Sequence, residues 1–272
     1  MKAKKSFGQH FLVNTGVITK IVDCVEREFS ADEKRKQVVE IGPGTGALTK
    51  ELLKRGLDVV AIEYDSDMIE YLNAEFTQEI QEKRLSLHHL DASRMTEELK
   101  SLINLENAVL CGNLPYNRGA SILISSFEEL SCVKAFVFML QKEVVDRFAS
   151  EKDSKSYGVN SILFQCALKV RSVFKVSPGS FDPPPKVDSA VIAFRRREEP
   201  LLCPLKEKEI YSFVKKHLKE FFNYRRKKLA KFFGTYQSLM TDEERSCRAE
   251  NISPERYVIL LKEWKRLEEA QD

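Results

Sequence analysis

At 272 residues, 43% hydrophobic and 31% charged, the chain has the composition of an ordinary globular protein, long enough for one large core or for two domains of unequal size. No uncharged apolar run approaches the roughly 18 residues of a membrane-spanning helix, and no apolar stretch follows the basic start "MKAKKSFGQHFLVN", so a cytoplasmic chain without a cleaved leader is expected. The net charge of +3 excludes little, but residues 213–233, "FVKKHLKEFFNYRRKKLAKFF", hold eight Lys and Arg against one acid, Glu220, a local +7 that suits a polyanion.

From Val38 to Phe138 short apolar runs alternate with helical stretches. "VVEI", "DVVAIE", "LSLHHL", "AVLCG" and "VKAFVFML" read as strands, with "ALTKELLKRG", "SDMIEYLNAEF", "EELKSLI" and "ASILISSFEEL" as the helices between them. That alternation predicts a parallel sheet covered on both faces. A helix over "YGVNSILFQCALKV" follows, then two strand-like runs, "RSVFKV" and "SAVIAFRRR". The proline-rich "SPGSFDPPPKVD" joins them, which predicts an antiparallel hairpin at the edge of the sheet. Past "REEPLLCP" everything reads as helix, with a capping box at Thr241–Glu244 and an N-cap at Ser253 before Pro254. The expected organisation is α/β, with a domain over 1–198 and a small all-α domain over 199–272.

Cysteines at 24, 111, 132, 166, 203 and 247 are scattered without metal-ligand spacing, so free, mostly buried thiols are expected and no metal site. His88 and His89 are adjacent on a strand and point to opposite faces, which argues against a shared metal.

"VVEIGPGTGALTKEL" carries glycines at 42, 44 and 46 between a strand and a helix, where backbone N–H groups can approach a ligand closely. The spacing is G-x-G-x-G rather than the G-x-G-x-x-G of dinucleotide sites, and Glu40 precedes it in the strand. Glu63 ends the next strand, where an acid can accept both ribose hydroxyls, and Asp91 follows the third, where it can accept an adenine amine. Strand-end acids often serve only as helix caps. Three in register at the carboxyl edge of an open α/β sheet point instead to an adenosine without pyrophosphate, and S-adenosylmethionine is the common cofactor of that kind.

"GNLPYN" ends the fourth strand beside that site. An amino group on a conjugated ring is a poor nucleophile, because its lone pair is delocalised. Acceptors on both N–H bonds, such as the Asn113 side-chain oxygen and the Leu114 carbonyl, would draw the lone pair out of the ring. Pro115 fixes the turn, and Tyr116 offers a π-face to an extruded base.

Along nearly its whole length the chain resembles the small-subunit rRNA adenine N6,N6-dimethyltransferases of the KsgA/RsmA type. The resemblance rests on "FGQHFL", "VEIGPGTGALT", "AIEYD", "DA" at 91, "GNLPYN", "QKEV" at 141–144, "SFDPPPKVDSAV" and "FNYRRKKL", in the family's order. It implies a Rossmann-like class I methyltransferase sheet using S-adenosylmethionine, with small-subunit rRNA in an assembling subunit as partner. By resemblance His10, Leu12, Gly42, Gly44, Glu63, Asp91 and Asn113 contact the cofactor. Asn113, Leu114, Tyr116 and Phe181 hold the target adenine, Phe181 stacking opposite Tyr116. The chain departs from the family's pattern at His10, usually Asn, and at Gly119-Ala120, usually a Ser/Thr pair.

A nicotinamide oxidoreductase would want G-x-G-x-x-G and has no use for NLPY. An erythromycin-resistance type of enzyme, acting on a large-subunit adenine, shares the catalytic domain; "FNYRRKKL" and NLPY favour the small subunit. A non-catalytic RNA-binding assembly or transcription factor on this fold would show decay in the glycine loop or NLPY, and both are whole. In the basic segment, Lys215, Lys216, Arg225, Arg226, Lys227 and Lys228 are expected to meet RNA phosphates. Phe213, Phe221, Phe222, Phe232 and Phe233 recur at helical spacing and are expected in the core.

Overall fold

The computed structural model describes residues 10–33, 36–94, 97–103, 108–130 and 133–271. Cys132 and residues 7–9 of the first motif lie outside the described residues. The strands are β1 (Phe11–Leu12), β2 (Gln37–Ile41), β3 (Asp58–Glu63), β4 (Leu85–His89), β5 (Ala108–Asn113), β6 (Val133–Gln141), β7 (Leu168–Val176), β8 (Phe181–Asp182) and β9 (Ser189–Arg196). Among the described residues these form two sheets, β1-β8 and β4-β3-β2-β5-β6-β9-β7.

The parallel part of the large sheet runs from β4 to β6, with Val38 opposite Val59 on one side and Val109 on the other. These strands are unbroken apolar runs because helices cover both faces. Val38, Val39, Val109, Leu110 and Cys111 are fully buried, and each Val or Leu side chain so buried contributes about 1.5–3 kcal/mol. Truncating Leu110 to alanine would cost about 2–5 kcal/mol, transfer and cavity together. β9 closes onto β6 antiparallel, Phe136 opposite Phe194, with β7 beyond it at the edge.

Helices α1 (Thr15–Glu26), α2 (Ala47–Lys54), α3 (Ser66–Glu75), α4 (Thr77–Gln81), α5 (Glu97–Ile103), α6 (Gly119–Glu129) and α7 (Lys142–Ala149) alternate with the strands, as the apolar pattern predicts. The helix expected to reach Val170 ends earlier. α8 covers Val159–Ala167, and β7 begins at once with Leu168, since the β-branched Val170, Val173 and Val176 favour extended chain.

The chain divides into two compact units, Met1–Val145 with Val170–Arg195, and Asp146–Lys169 with Arg196–Asp272. Asp146–Lys169, read from sequence into the first domain, thus packs in the second unit, where α8 lies on α9 (Lys208–Asn223) and α12 (Pro254–Glu269). The Tyr157 hydroxyl donates to the Ile252 carbonyl at 2.9 Å within that unit. Between these helices come α10 (Ala230–Phe233) and α11 (Asp242–Ser246). Both expected caps form: Thr241 and Glu244 bond reciprocally, and the Ser253 hydroxyl accepts from Arg256 N.

Candidate active site

The carboxyl ends of β2, β3, β4 and β5 border one cavity of about 260 Å³ in the first unit. Its floor is the glycine turn. Gly46 sits at φ +80°, and a Cβ there would lie 2.5 Å from the Phe76 ring, so only glycine fits the start of α2. Gly112 answers the same need on β5, because a Cβ would stand 2.3 Å from the Ile41 carbonyl oxygen. This close approach sets the end of β5 against the glycine turn.

The acids are held by backbone. Glu63, 8% exposed, accepts from Gly44 N at 3.2 Å through Oε2, and from Tyr64 N and Asp65 N at 2.8 and 2.9 Å through Oε1. Burial pushes its carboxyl above the ordinary value against those three bonds. Glu40 lies deeper, takes the Thr49 hydroxyl at 2.6 Å, and is pushed up to about 7 by burial first, then by the Glu63 charge, with Thr49 opposing. Asp91 accepts Ser93 N and Oγ at 2.9 and 2.6 Å, and Arg118 Nη1 lies 3.3 Å from its other oxygen. Burial raises its carboxyl, but Ser93 and the guanidinium groups of Arg118 and Arg94 outweigh that and hold it below the ordinary value.

At the acceptor end, Asn113 Nδ2 donates to the His10 carbonyl at 2.9 Å, which leaves the side-chain oxygen as its acceptor. Leu114 is anchored by its N–H to the Met139 carbonyl at 3.1 Å. Tyr116 shares a hydroxyl hydrogen bond of 2.5 Å with Ser189, and burial raises its phenol. His10 donates from Nδ1 to the Pro183 carbonyl at 2.7 Å, and its ring lies 5.4 Å from that of Tyr116.

The cavity therefore brings together His10, Leu12, Gly42, Gly44, Glu63, Asp91, Asn113, Leu114 and Tyr116. Phe181 corrects the expectation. It is 4% exposed, belongs to the core cluster and does not line the cavity. β8 lies antiparallel to β1 with Phe181 opposite Leu12, so both side chains enter the core cluster, and of the two Leu12 also reaches the cavity wall. The ring beside Tyr116 is that of His10, and 5.4 Å is too small to admit a base between two rings, since each stacked contact needs about 3.5 Å.

Sequence reasoning passed over Ser189, Ser93, Tyr64 and Arg118. Ser93 was legible as an Asx turn in "DAS". Arg118, whose guanidinium stands 5.9 Å from the Tyr64 ring centre, follows NLPYN without any local signal.

In the second unit, Lys216, Arg226, Lys227 and Lys228 are exposed and Lys215 is half-buried above Tyr211. Arg225 departs from the expectation of a free phosphate ligand. Its guanidinium bonds to Glu250 at 3.2 Å and to the Lys155 and Ser154 carbonyls at 2.7 and 3.0 Å, because the chain turns there at the end of α9. Phe221 and Phe233 are fully buried, and Phe213 packs edge-on against Trp264, in line with the core reading.

The ribosomal RNA adenine dimethylase family profile matches residues 1–262. A ribosomal RNA small subunit methyltransferase A of Xanthomonas euvesicatoria is 39% identical over 233 residues, covering 86% of this chain and 84% of its own. The crystal structure of a dimethyladenosine transferase from Plasmodium falciparum superposes with a TM-score of 0.74 at 24% identity, over 94% of this chain and 98% of its own. That of the 23S rRNA methyltransferase ErmE gives 0.67 at 20% identity, over 94% and 99%; both share the fold. With the family's turn, acids and Asn-Leu-Pro-Tyr segment gathered on one sheet edge, the chain belongs to the ribosomal RNA adenine dimethylases, enzymes that methylate adenine N6 with S-adenosylmethionine.

Proposed function

We propose that this enzyme dimethylates adjacent adenines near the 3′ end of small-subunit rRNA within an assembling subunit, in the cytoplasm. The carrying observation is the Asn113 amide, fixed by the His10 carbonyl at the end of β5 beside the acids of β3 and β4. The acceptor set fits S-adenosylmethionine: Glu63 Oε2 keeps one acceptor position for a ribose hydroxyl, Asp91 Oδ2 one for the adenine amine, and the positive-φ glycines leave room for a nucleoside. Bound there, that cofactor supplies a methyl group already activated on sulfur.

The chain's own groups then need only hold N6 in line at roughly 3–3.5 Å. Asn113 Oδ1 and the Leu114 carbonyl accept the two N–H bonds and draw the nitrogen lone pair out of conjugation. Tyr116, its hydroxyl fixed by Ser189, offers one ring face to the extruded base. The methylated nitrogen is acidic and releases its proton without a strong base. Family relatives named for the small subunit support this target over the large-subunit one. Incubating the enzyme with under-methylated small subunits and labelled cofactor, then mapping the label, tests it. Label on two adjacent adenines near the 3′ end is expected; no label on those adenines, with label appearing only in a parallel incubation with large subunits, would overturn it.

A further inference from the structure

Tyr224 is the exposed aromatic of a segment whose other aromatics are buried or half-buried; 52% of it faces solvent. The turn that carries it is pinned. Arg225 ties it to Glu250, Lys155 and Ser154, Lys227 N donates to the Tyr224 carbonyl at 2.8 Å, and Lys228 bridges to Arg248. Leu229, fully buried, donates from its N–H to the Cys247 carbonyl at 2.8 Å and anchors the far side. Phe232 stacks against the Tyr224 ring at 6.0 Å and 30°, and the Lys227 ammonium stands 4.6 Å from its centre. Arg226, Lys227 and Lys228 are all exposed around it.

We propose that Tyr224 is a stacking platform for an unpaired nucleobase of RNA, with Arg226, Lys227 and Lys228 holding the flanking phosphates. The proposal rests on the reading of this chain as an rRNA-binding enzyme and adds a second base-binding site, distinct from the adenine pocket. An exposed contact between an ammonium and a tyrosine ring is weak, so Lys227 can move to a phosphate as a base takes its place. The pinned turn lowers the ordering cost, because its backbone and the Tyr224 ring are placed before RNA arrives. Phe232, stacked on the ring at 6.0 Å, backs it, and the base takes the face over which Lys227 stands. Cations without interleaved acids supply the attraction for the backbone, and the π-face accepts any base.

The test uses the full chain and a short oligouridylate carrying a single 2-aminopurine, whose fluorescence falls on stacking. The wild-type enzyme should bind and quench it. Tyr224→Ile, which keeps apolar packing on Phe232 without a π-face, should lose the quench and bind roughly five- to 150-fold more weakly with the salt dependence unchanged. Tyr224→Phe should restore both. Arg226→Gln with Lys227→Gln and Lys228→Gln should shallow the salt dependence yet still quench at saturation. A wild-type complex without quenching overturns the platform whatever the variants do, as does wild-type binding and quenching by Tyr224→Ile. If the cation variant also binds like wild type, the RNA-binding reading of the turn falls with it. If Tyr224→Ile loses small subunits but not the oligonucleotide, the ring meets protein instead.

Discussion

Around the cavity most charges are carboxylates with fixed partners: Glu40 on Thr49, Glu63 on three backbone N–H groups, and Asp91 on Ser93 and on Arg118, a cation that also lines the cavity. In residues 213–233 they are mostly cations, many of them exposed, and Arg225, tied down by Glu250, Ser154 and Lys155, serves the turn itself. The first arrangement reads a small ligand by position and depends little on salt. The second attracts a polymer by charge and loses affinity as salt rises. Burial decides which regime a residue belongs to, and charge type does not.

The contrast is most exposed at Asn113. If its amide is a positioned polar group at the reacting centre, Asn113→Ala should lower single-turnover methyl transfer on pre-bound subunits by about 10²–10³. A wild-type rate would reduce Asn-Leu-Pro-Tyr to a turn.

Glu40 tests how enclosed the cavity acids are. Its folded value near 7 lies above the unfolded carboxylate value, so its stabilising contribution is complete below the unfolded value and is lost as pH rises toward 7. The change is on the order of 3 kcal/mol between about pH 4.5 and 7. Glu40→Gln cannot ionise, so its Tm advantage over wild type should grow across that window. Parallel pH curves for the two proteins would place Glu40 in contact with water.

For the cofactor, Glu63→Ala and Asp91→Ala should each weaken S-adenosylmethionine binding by about 1.5–3 kcal/mol in calorimetry on the free protein. Unchanged affinity in both would remove the acids from the site. Glu63→Ala should also loosen the glycine turn, because Gly44 N loses its acceptor.

The smallest effects separate the cations from one another. Arg225→Ala should cost about 1–2 kcal/mol of stability, discounted because a third of the side chain is exposed, with the salt slope of RNA binding kept. Arg226→Gln, Lys227→Gln and Lys228→Gln should leave stability within about 0.5 kcal/mol and shallow that slope by roughly 0.7–0.9 for each phosphate no longer neutralised. The reverse pattern would exchange the roles given to these residues.

Much of this molecule could be read from local pattern. The alternation from Val38 to Phe138, the glycines before α2, the acids at Glu63 and Asp91 and the caps at Thr241 and Ser253 each depend on neighbours a few residues away, and all formed as expected. What could not be read depends on partners far along the chain. Phe181 turned to the core because Leu12 pairs with it from 169 residues away, and Tyr116 found Ser189 across 73. Arg225 looks like its basic neighbours, yet Ser154 and Lys155 draw it inward across about 70 residues. Sequence alone determined the elements and the chemistry at the strand ends, because backbone sterics and side-chain period act locally. Tertiary structure decided which of those side chains remain free for a ligand, because burial and hydrogen-bond partners come from segments that no local pattern connects.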